Sequence, residues 1–204
     1  MSFVRVSSFV AGLALVVGLV AAAAAQDHPA FMRVMAKTSQ PVGHHELCSR
    51  MPAECNETTR NNDPVQLTVE RWNQLIAIND NVNTAISPVT DEEFYGRQEY
   101  WAYPEDGKGD CEDFVLLKRR ELMNSGWPAG SLLITVVRQT NGDGHAILTV
   151  RTDRGDLVLD NLEPKIKLWG ETEYEFVKRQ SDRHSGRWVA IEDDRPILVG
   201  SIRR

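Results

Sequence analysis

Three residues of this chain have the types and the settings needed for nucleophilic chemistry: Cys111, His145 and Asp160. Cys111 sits in Gly109-Asp110-Cys111-Glu112-Asp113-Phe114, directly after Pro104-Glu105-Asp106-Gly107-Lys108-Gly109, a composition that demands a loop. The residues after it have helical spacing, so Cys111 falls in the first turn of a helix. There, unsatisfied backbone N–H groups and the positive end of the macrodipole favour thiolate over thiol. His145 opens an apolar segment in Gly144-His145-Ala146, and Asp160 closes the next one in Leu159-Asp160-Asn161. A thiol hydrolase uses these types in this order: the thiolate attacks a carbonyl, the imidazole moves the proton, and the carboxylate fixes the imidazole's tautomer. His184, in the polar run Ser181-Asp182-Arg183-His184, is a weaker rival base. Trp101 and Tyr103 either line a substrate cleft or belong to the core.

The acids around the cysteine pull the other way. Asp110, Glu112 and Asp113 share its turn, and their charge opposes ionisation of the thiol. Two arrangements relieve the conflict. The carboxylates can turn away and hold a hard cation, for which an oxygen-rich cluster suits Ca²⁺ better than zinc or copper. Alternatively they cap the helix, with Asp110 as N-cap and Asp113 three residues on in a carboxylate version of the capping box.

The elements that must position these residues follow from periodicity. Residues 26–63 read as an irregular N-terminal segment interrupted by Pro29, Pro41 and Pro52, and residues 64–204 as the folded domain. Asp63-Pro64 looks like an N-cap with proline at the first helical position, opening an amphipathic helix that ends before Pro88. The Cys111 helix stops at Asn124-Ser125-Gly126. Strands follow over Leu132 to Arg138, His145 to Arg151, Leu157 to Asp160 and Arg187 to Glu192, leaving residues 165–185 as a long polar excursion. Two helices followed by an antiparallel sheet make an α+β domain with the Cys111 helix packed on the sheet. A tight turn centred on Asp153 and Arg154 sets Asp160 opposite Ile147, with His145 two residues along on the same face. Such diagonal neighbours lie roughly 7–8 Å apart, within reach of a His and an Asp leaning together.

Composition bounds the setting. Residues 1–25 have Arg5 as a minimal positive region, an apolar run from Phe9 to Val20 and small residues from Ala21 to Ala25, the pattern of a secretory signal peptide. An uncleaved membrane anchor is the alternative, though the run is near the short end for a span. No later segment is long and apolar enough to cross a bilayer. The expected location is periplasmic or secreted. A net charge of −6 with scattered Lys and Arg argues against nucleic acid as a partner. In an exported protein Cys48 and Cys55, bracketing a short loop, read as a disulfide with Cys111 as the odd thiol. The competing reading is a zinc site formed with His44 or His45. Asn56-Glu57-Thr58 matches a glycosylation sequon by pattern alone.

These motifs together carry a family resemblance. The run from Tyr100-Trp101-Ala102-Tyr103-Pro104 to Gly109-Asp110-Cys111-Glu112-Asp113-Phe114, then Gly144-His145-Ala146-Ile147-Leu148 and Leu159-Asp160-Asn161-Leu162, resembles the bacterial transglutaminase-like cysteine peptidases, and within them the LapG-like periplasmic proteases. The resemblance covers about residues 60 to 165. It implies a papain/transglutaminase-like fold, Cys111, His145 and Asp160 as the triad, and calcium held by the acids at Asp110 and Glu112. It also implies a protein substrate of the large surface-adhesin type and a membrane-bound regulator. From the residues themselves, three functions stay open: an endopeptidase acting through an acyl-enzyme, a transglutaminase passing the acyl group to an amine, and a periplasmic binding module with a vestigial site.

Overall fold

The computed structural model describes residues 29–56 and 62–195. The signal-like segment and most of the sequon pattern lie outside the described residues. The chain builds a seven-stranded antiparallel sheet with helices on one face. Its centre is β4 (Leu132–Arg138), β5 (Gly144–Thr152) and β6 (Gly155–Leu159). From one edge β1 (Arg33–Thr38), β9 (His184–Glu192) and β8 (Glu175–Ser181) lead into β4, β5 and β6, with β7 (Lys167–Leu168) last. The pairing of β5 with β6 runs from Thr152 opposite Gly155 to Leu148 opposite Leu159, the register expected from the turn. It follows because a one-residue slip would move every apolar side chain of these strands to the wrong face.

Each face of the sheet has its own core. On one, Leu132, Ile134, Ala146, Leu148, Val150, Leu157 and Leu159 meet Val115, Leu116 and Leu122 of α4 (Cys111–Asn124) and Leu75 of α2 (Val69–Ala85). On the other, Val137, Ile147 and Val158 pack with Trp169, Phe176, Ile191 and Met32. Both faces are therefore covered, which explains why the burial of β4 to β6 is nearly continuous and not alternating. Helix α4 ends as its sequence dictates, with Gly126 in the left-handed conformation at φ +87° just past the last turn.

The structure corrects three readings of the elements. The described part of the N-terminal segment is regular: β1 (Arg33–Thr38) pairs with β9 (His184–Glu192) as an edge strand, and α1 (Val42–Arg50) follows it. Helix α2 starts at Val69, capped by Thr68, whose hydroxyl accepts from the Arg71 N–H at 3.3 Å. It does not start at Pro64, because Val65 is used in a bridge to Thr152, with Val65 N–H donating to the Arg151 carbonyl and Asp153 N–H to the Val65 carbonyl. The polar excursion holds β7 (Lys167–Leu168) and β8 (Glu175–Ser181). Its strands were hidden because β8 buries polar side chains, Arg179 and Gln180, where a sequence reading expects apolar ones.

Cys48 and Cys55 are joined by a disulfide, with Cα atoms 5.5 Å apart, and Cys111 is the free cysteine. One thiol is therefore expected to titrate in the denatured, unreduced mature protein; three thiols or bound zinc would contradict the bond. The bonded loop braces the Cys111 helix, since Glu54 lies 3.6 Å from the buried Arg119 guanidinium on α4. His44 on α1 is buried edge-on between Trp101 and Trp188, each ring centroid 5.3 Å away, and accepts from the Trp188 indole N–H at 3.3 Å. Burial, helped by the charge of Arg119, pushes the His44 imidazole from 6.5 down to about 4. Between those two values the unfolded chain binds the proton that the folded one refuses. Stability from this site is therefore full above pH 6.5 and falls as pH drops toward 4, by about 3 kcal/mol. Thermal melts across that window should show a flatter decline for His44→Gln than for the wild type.

Candidate active site

The residues singled out for chemistry converge at one end of the sheet. Cys111 is the first residue of α4, after the N-cap Asp110. Gly109 is required there, because a Cβ at that position would lie 2.6 Å from Asp113 Oδ2. The short pairing of β3 (Lys108–Gly109) with β2 (Ser87–Pro88) fixes the approach of this loop to the helix. The Cys111 sulfur lies next to the backbone N–H of Ala146, which favours its ionised form. The helix start thus abuts the beginning of β5, where His145 resides.

His145 and Asp160 form a buried pair, with His145 Nε2 2.8 Å from Asp160 Oδ1. The Leu162 N–H donates to the same oxygen at 3.0 Å, and the Tyr174 hydroxyl donates to Oδ2 at 2.5 Å. Burial alone would raise the Asp160 carboxyl. The hydrogen bond and charge of His145, together with the Tyr174 and Leu162 donors, outweigh that and hold it below the ordinary carboxylate range. An ionised carboxylate can only accept, so the proton of this bond sits on His145 Nε2, and Nδ1 is the ring nitrogen left for other partners. The Asp160 segment is also tied from α2, where the Asn83 side chain donates to the Asp160 carbonyl at 2.8 Å and that of Asn79 to the Pro164 carbonyl at 3.1 Å. Beneath it Lys118 of α4 is fully buried, its ammonium brought from 10.5 down to about 7 by burial against the opposing charges of Asp160 and Asp80.

The thiol does not follow the expectation drawn from its helix. Its proton affinity is well above the ordinary cysteine value, first through burial and then through the charge of Glu112. Cys111 Sγ donates to Glu112 Oε2 at 3.1 Å. A helix terminus contributes on the order of 1 kcal/mol to an anion, too little against desolvation and an adjacent carboxylate. The resting thiol is neutral and needs a base.

The acids separate into two groups. Asp110 and Asp113, three residues apart and so on one side of the first turn, join Asp91 of α3 (Asp91–Tyr95), with carboxylate oxygens all within 4.8 Å of one another. Glu112 borders this group, reaching the Asp110 carboxyl, and turns Oε2 to Cys111. The capping box is not formed: Asp110 makes no side-chain cap bond, and Asp113 Oδ1 accepts from the Ala102 N–H at 2.8 Å. Burial, with mutual repulsion, lifts the Asp91 carboxyl to about 6 and that of Asp113 to about 8. Asp110 Oδ1 and Asp113 Oδ2 are buried with no hydrogen-bond partner among the described residues. Unsatisfied carboxylate oxygens facing one another fit a hard divalent cation. Asp91 also accepts from the Tyr100 N–H.

Other candidates fall away. His184 starts β9 opposite Ser181, at the far end of the sheet from His145. Trp101 and Tyr103 belong to the core. The disulfide removes Cys48 and Cys55 as zinc ligands. Sequence reading missed Asp91, Asn83 and Tyr174. Asp91 could have been suspected only as the N1 acid after the Thr90 cap, where its role looks purely helical.

A thiol at a helix start, beside a strand bearing an imidazole–carboxylate pair on an α+β sheet, is the layout of a cysteine peptidase. Residues 34–196 match the family described as bacterial transglutaminase-like cysteine proteinase, and the chain belongs to that family. Among solved structures it is similar to calcium-bound LapG of Legionella pneumophila, at 30% identity over 58% of this chain and 68% of that one, with a TM-score of 0.51. It is likewise similar to the EGTA-treated form of that protein, at 29% identity over 60% and 72% of the two chains, with a TM-score of 0.50. No curated protein matches. The protein is thus a transglutaminase-like cysteine peptidase.

Proposed function

We propose that this chain is an exported endopeptidase that cleaves a cell-surface or periplasmic protein through an acyl-enzyme, with Cys111, His145 and Asp160 as the triad and calcium as a structural cation. The observation that carries the reading is the buried His145–Asp160 pair next to the free thiol of Cys111. In the reaction His145 Nδ1 takes the thiol proton as Cys111 Sγ leaves Glu112 and attacks the peptide carbonyl. The same nitrogen then protonates the departing amine, and water, activated in turn by His145, releases the acid product. Asp160 remains ionised and holds the ring. The Ala146 N–H and the helix start are donors on the thiol side, suited to stabilise a developing oxyanion.

Asp91, Asp110 and Asp113 would hold the calcium, with Glu112 at its border. Bound there, the cation supplies positive charge that neutralises acids otherwise opposing thiolate formation. The calcium-bound state of the similar Legionella structure supports this assignment by analogy. The resemblance of the sequence motifs to the LapG-like proteases suggests a large surface adhesin as substrate and a membrane-bound regulator. Export rests on the signal-like residues 1–25; among the described residues no helix is long and apolar enough to cross a membrane.

The test is to incubate the mature wild type and Cys111→Ala with cell-envelope proteins and compare fragments by mass spectrometry. Fragments made only by the wild type would identify the substrate. Identical fragment sets would overturn the reading.

A further inference from the structure

Asp160 has a second partner that the triad does not require. Its Oδ2 accepts from the Tyr174 hydroxyl at 2.5 Å, while Oδ1 serves His145. The Tyr174 ring also lies against the imidazole, its centroid 5.6 Å from that of His145. Burial and the adjacent Asp160 charge raise the phenol well above its ordinary value, so the hydroxyl stays a donor.

The backbone around Tyr174 is built to hold this pose. The Arg195 guanidinium donates to the carbonyls of Trp169, Thr172 and Tyr174, at 2.8, 3.2 and 2.6 Å. Asp193 pairs with that guanidinium through both oxygens, each at 2.7 Å, and its Oδ2 also accepts from the Phe176 N–H at 2.9 Å. A single buried ion pair therefore fixes the whole turn from Trp169 to Phe176. Beyond Tyr174 lies a cavity of about 280 Å³ that Asp160 also lines, with Val158, Lys165 and Glu173 among its walls. Tyr174 lines the same cavity, and its hydroxyl occupies the Oδ2 acceptor site that cavity water would otherwise take.

From this geometry we propose that Tyr174 is a positioning residue of the active site: its hydroxyl locks the Asp160 carboxylate in the rotamer that presents Oδ1 to His145, and it keeps cavity water off that carboxylate. The inference rests on reading Asp160 as the triad's third member. The groups facing Asp160 are His145 from β5, Lys118 from α4 and Tyr174 itself, with the charge of Glu163 near the phenol. Of these, Tyr174 alone grips Oδ2.

The experiment uses Tyr174→Phe, which keeps the ring and its packing. Two readouts are followed: the rate at which iodoacetamide alkylates Cys111 at neutral pH, and the low-field proton resonance of the His145 N–H bonded to Asp160. A bond from a neutral donor to a buried charge is worth about tenfold, so alkylation should slow by about that factor. The low-field resonance should broaden through exchange with water. In an Asp160→Asn background the same substitution should cost nothing further, because Tyr174 acts only through Asp160. An unchanged rate and resonance in Tyr174→Phe, or equal slowing in the Asp160→Asn background, would overturn the inference. Failure of Asp160→Asn itself to slow alkylation would sink the triad reading instead, so the two failures are distinct.

Discussion

Replacing Cys111 by alanine is expected to abolish peptide cleavage while leaving the fold intact. The sulfur is half-buried at a helix start, makes one side-chain hydrogen bond, to Glu112, and packs only at the edge of the main core, so its loss removes little packing. It is the one free thiol, and no other side chain can take over covalent attack. Loss of a nucleophile that works as part of a unit costs roughly 10⁴-fold or more in kcat. His145→Ala should be comparably severe, since the resting thiol is neutral and held by Glu112. Asp160→Ala should be somewhat milder, because Asp160 orients without exchanging protons. The double substitution Cys111→Ala, His145→Ala should be no worse than either alone. Cleavage by Cys111→Ala with unaltered fragments would show that the proteolysis comes from elsewhere.

The thiol, imidazole and carboxylate gathered at the candidate site were legible because each carries a local signature. A Gly-rich loop runs into a helix at Cys111, and the turn at Asp153 and Arg154 dictates the register that brings His145 and Asp160 to one face. That register is set by short-range pairing, which a sequence displays. The order of helices and antiparallel strands was legible for the same reason, as was the Cys48–Cys55 bond. Partners drawn from distant segments were not. Asp91 reaches Asp110 and Asp113 from another helix, and Tyr174 reaches Asp160 from a stretch that looks like polar loop. The helix dipole at Cys111 suggested an easily ionised thiol, but burial and Glu112 dominate, and burial cannot be read from composition. Strand β1 was hidden because every residue in it is exposed, so it shows no alternation of apolar and polar positions.

Calcium removal is expected to lower activity and thermal midpoint together. Three carboxylates, two of them on buried residues and one on the half-buried Asp110, lie within 4.8 Å, two of their oxygens without partners among the described residues, a costly arrangement unless a cation occupies the space between them. A ligand at about 100 times its Kd adds about 2.7 kcal/mol to stability, which in a domain of this size moves the midpoint by about 5–10 °C. EGTA should reverse that gain, added Ca²⁺ should restore it, and Mg²⁺ should do so poorly because it demands a tighter octahedral shell. Asp91→Asn provides the sharper test, since Asp91 is far from Cys111 in sequence and its carboxylate does not touch the thiol. That variant should still carry one alkylatable cysteine but should need more Ca²⁺ for half-maximal stabilisation, by about tenfold or more, the effect of losing one charged ligand. A calcium response unchanged in Asp91→Asn, or no calorimetric binding to the wild type at millimolar Ca²⁺, would remove the cation from this site. Without a cation, burial raises the Asp110 carboxyl and pushes that of Glu112 up to about 10, so these acids would have to stand beside the thiol in their protonated forms.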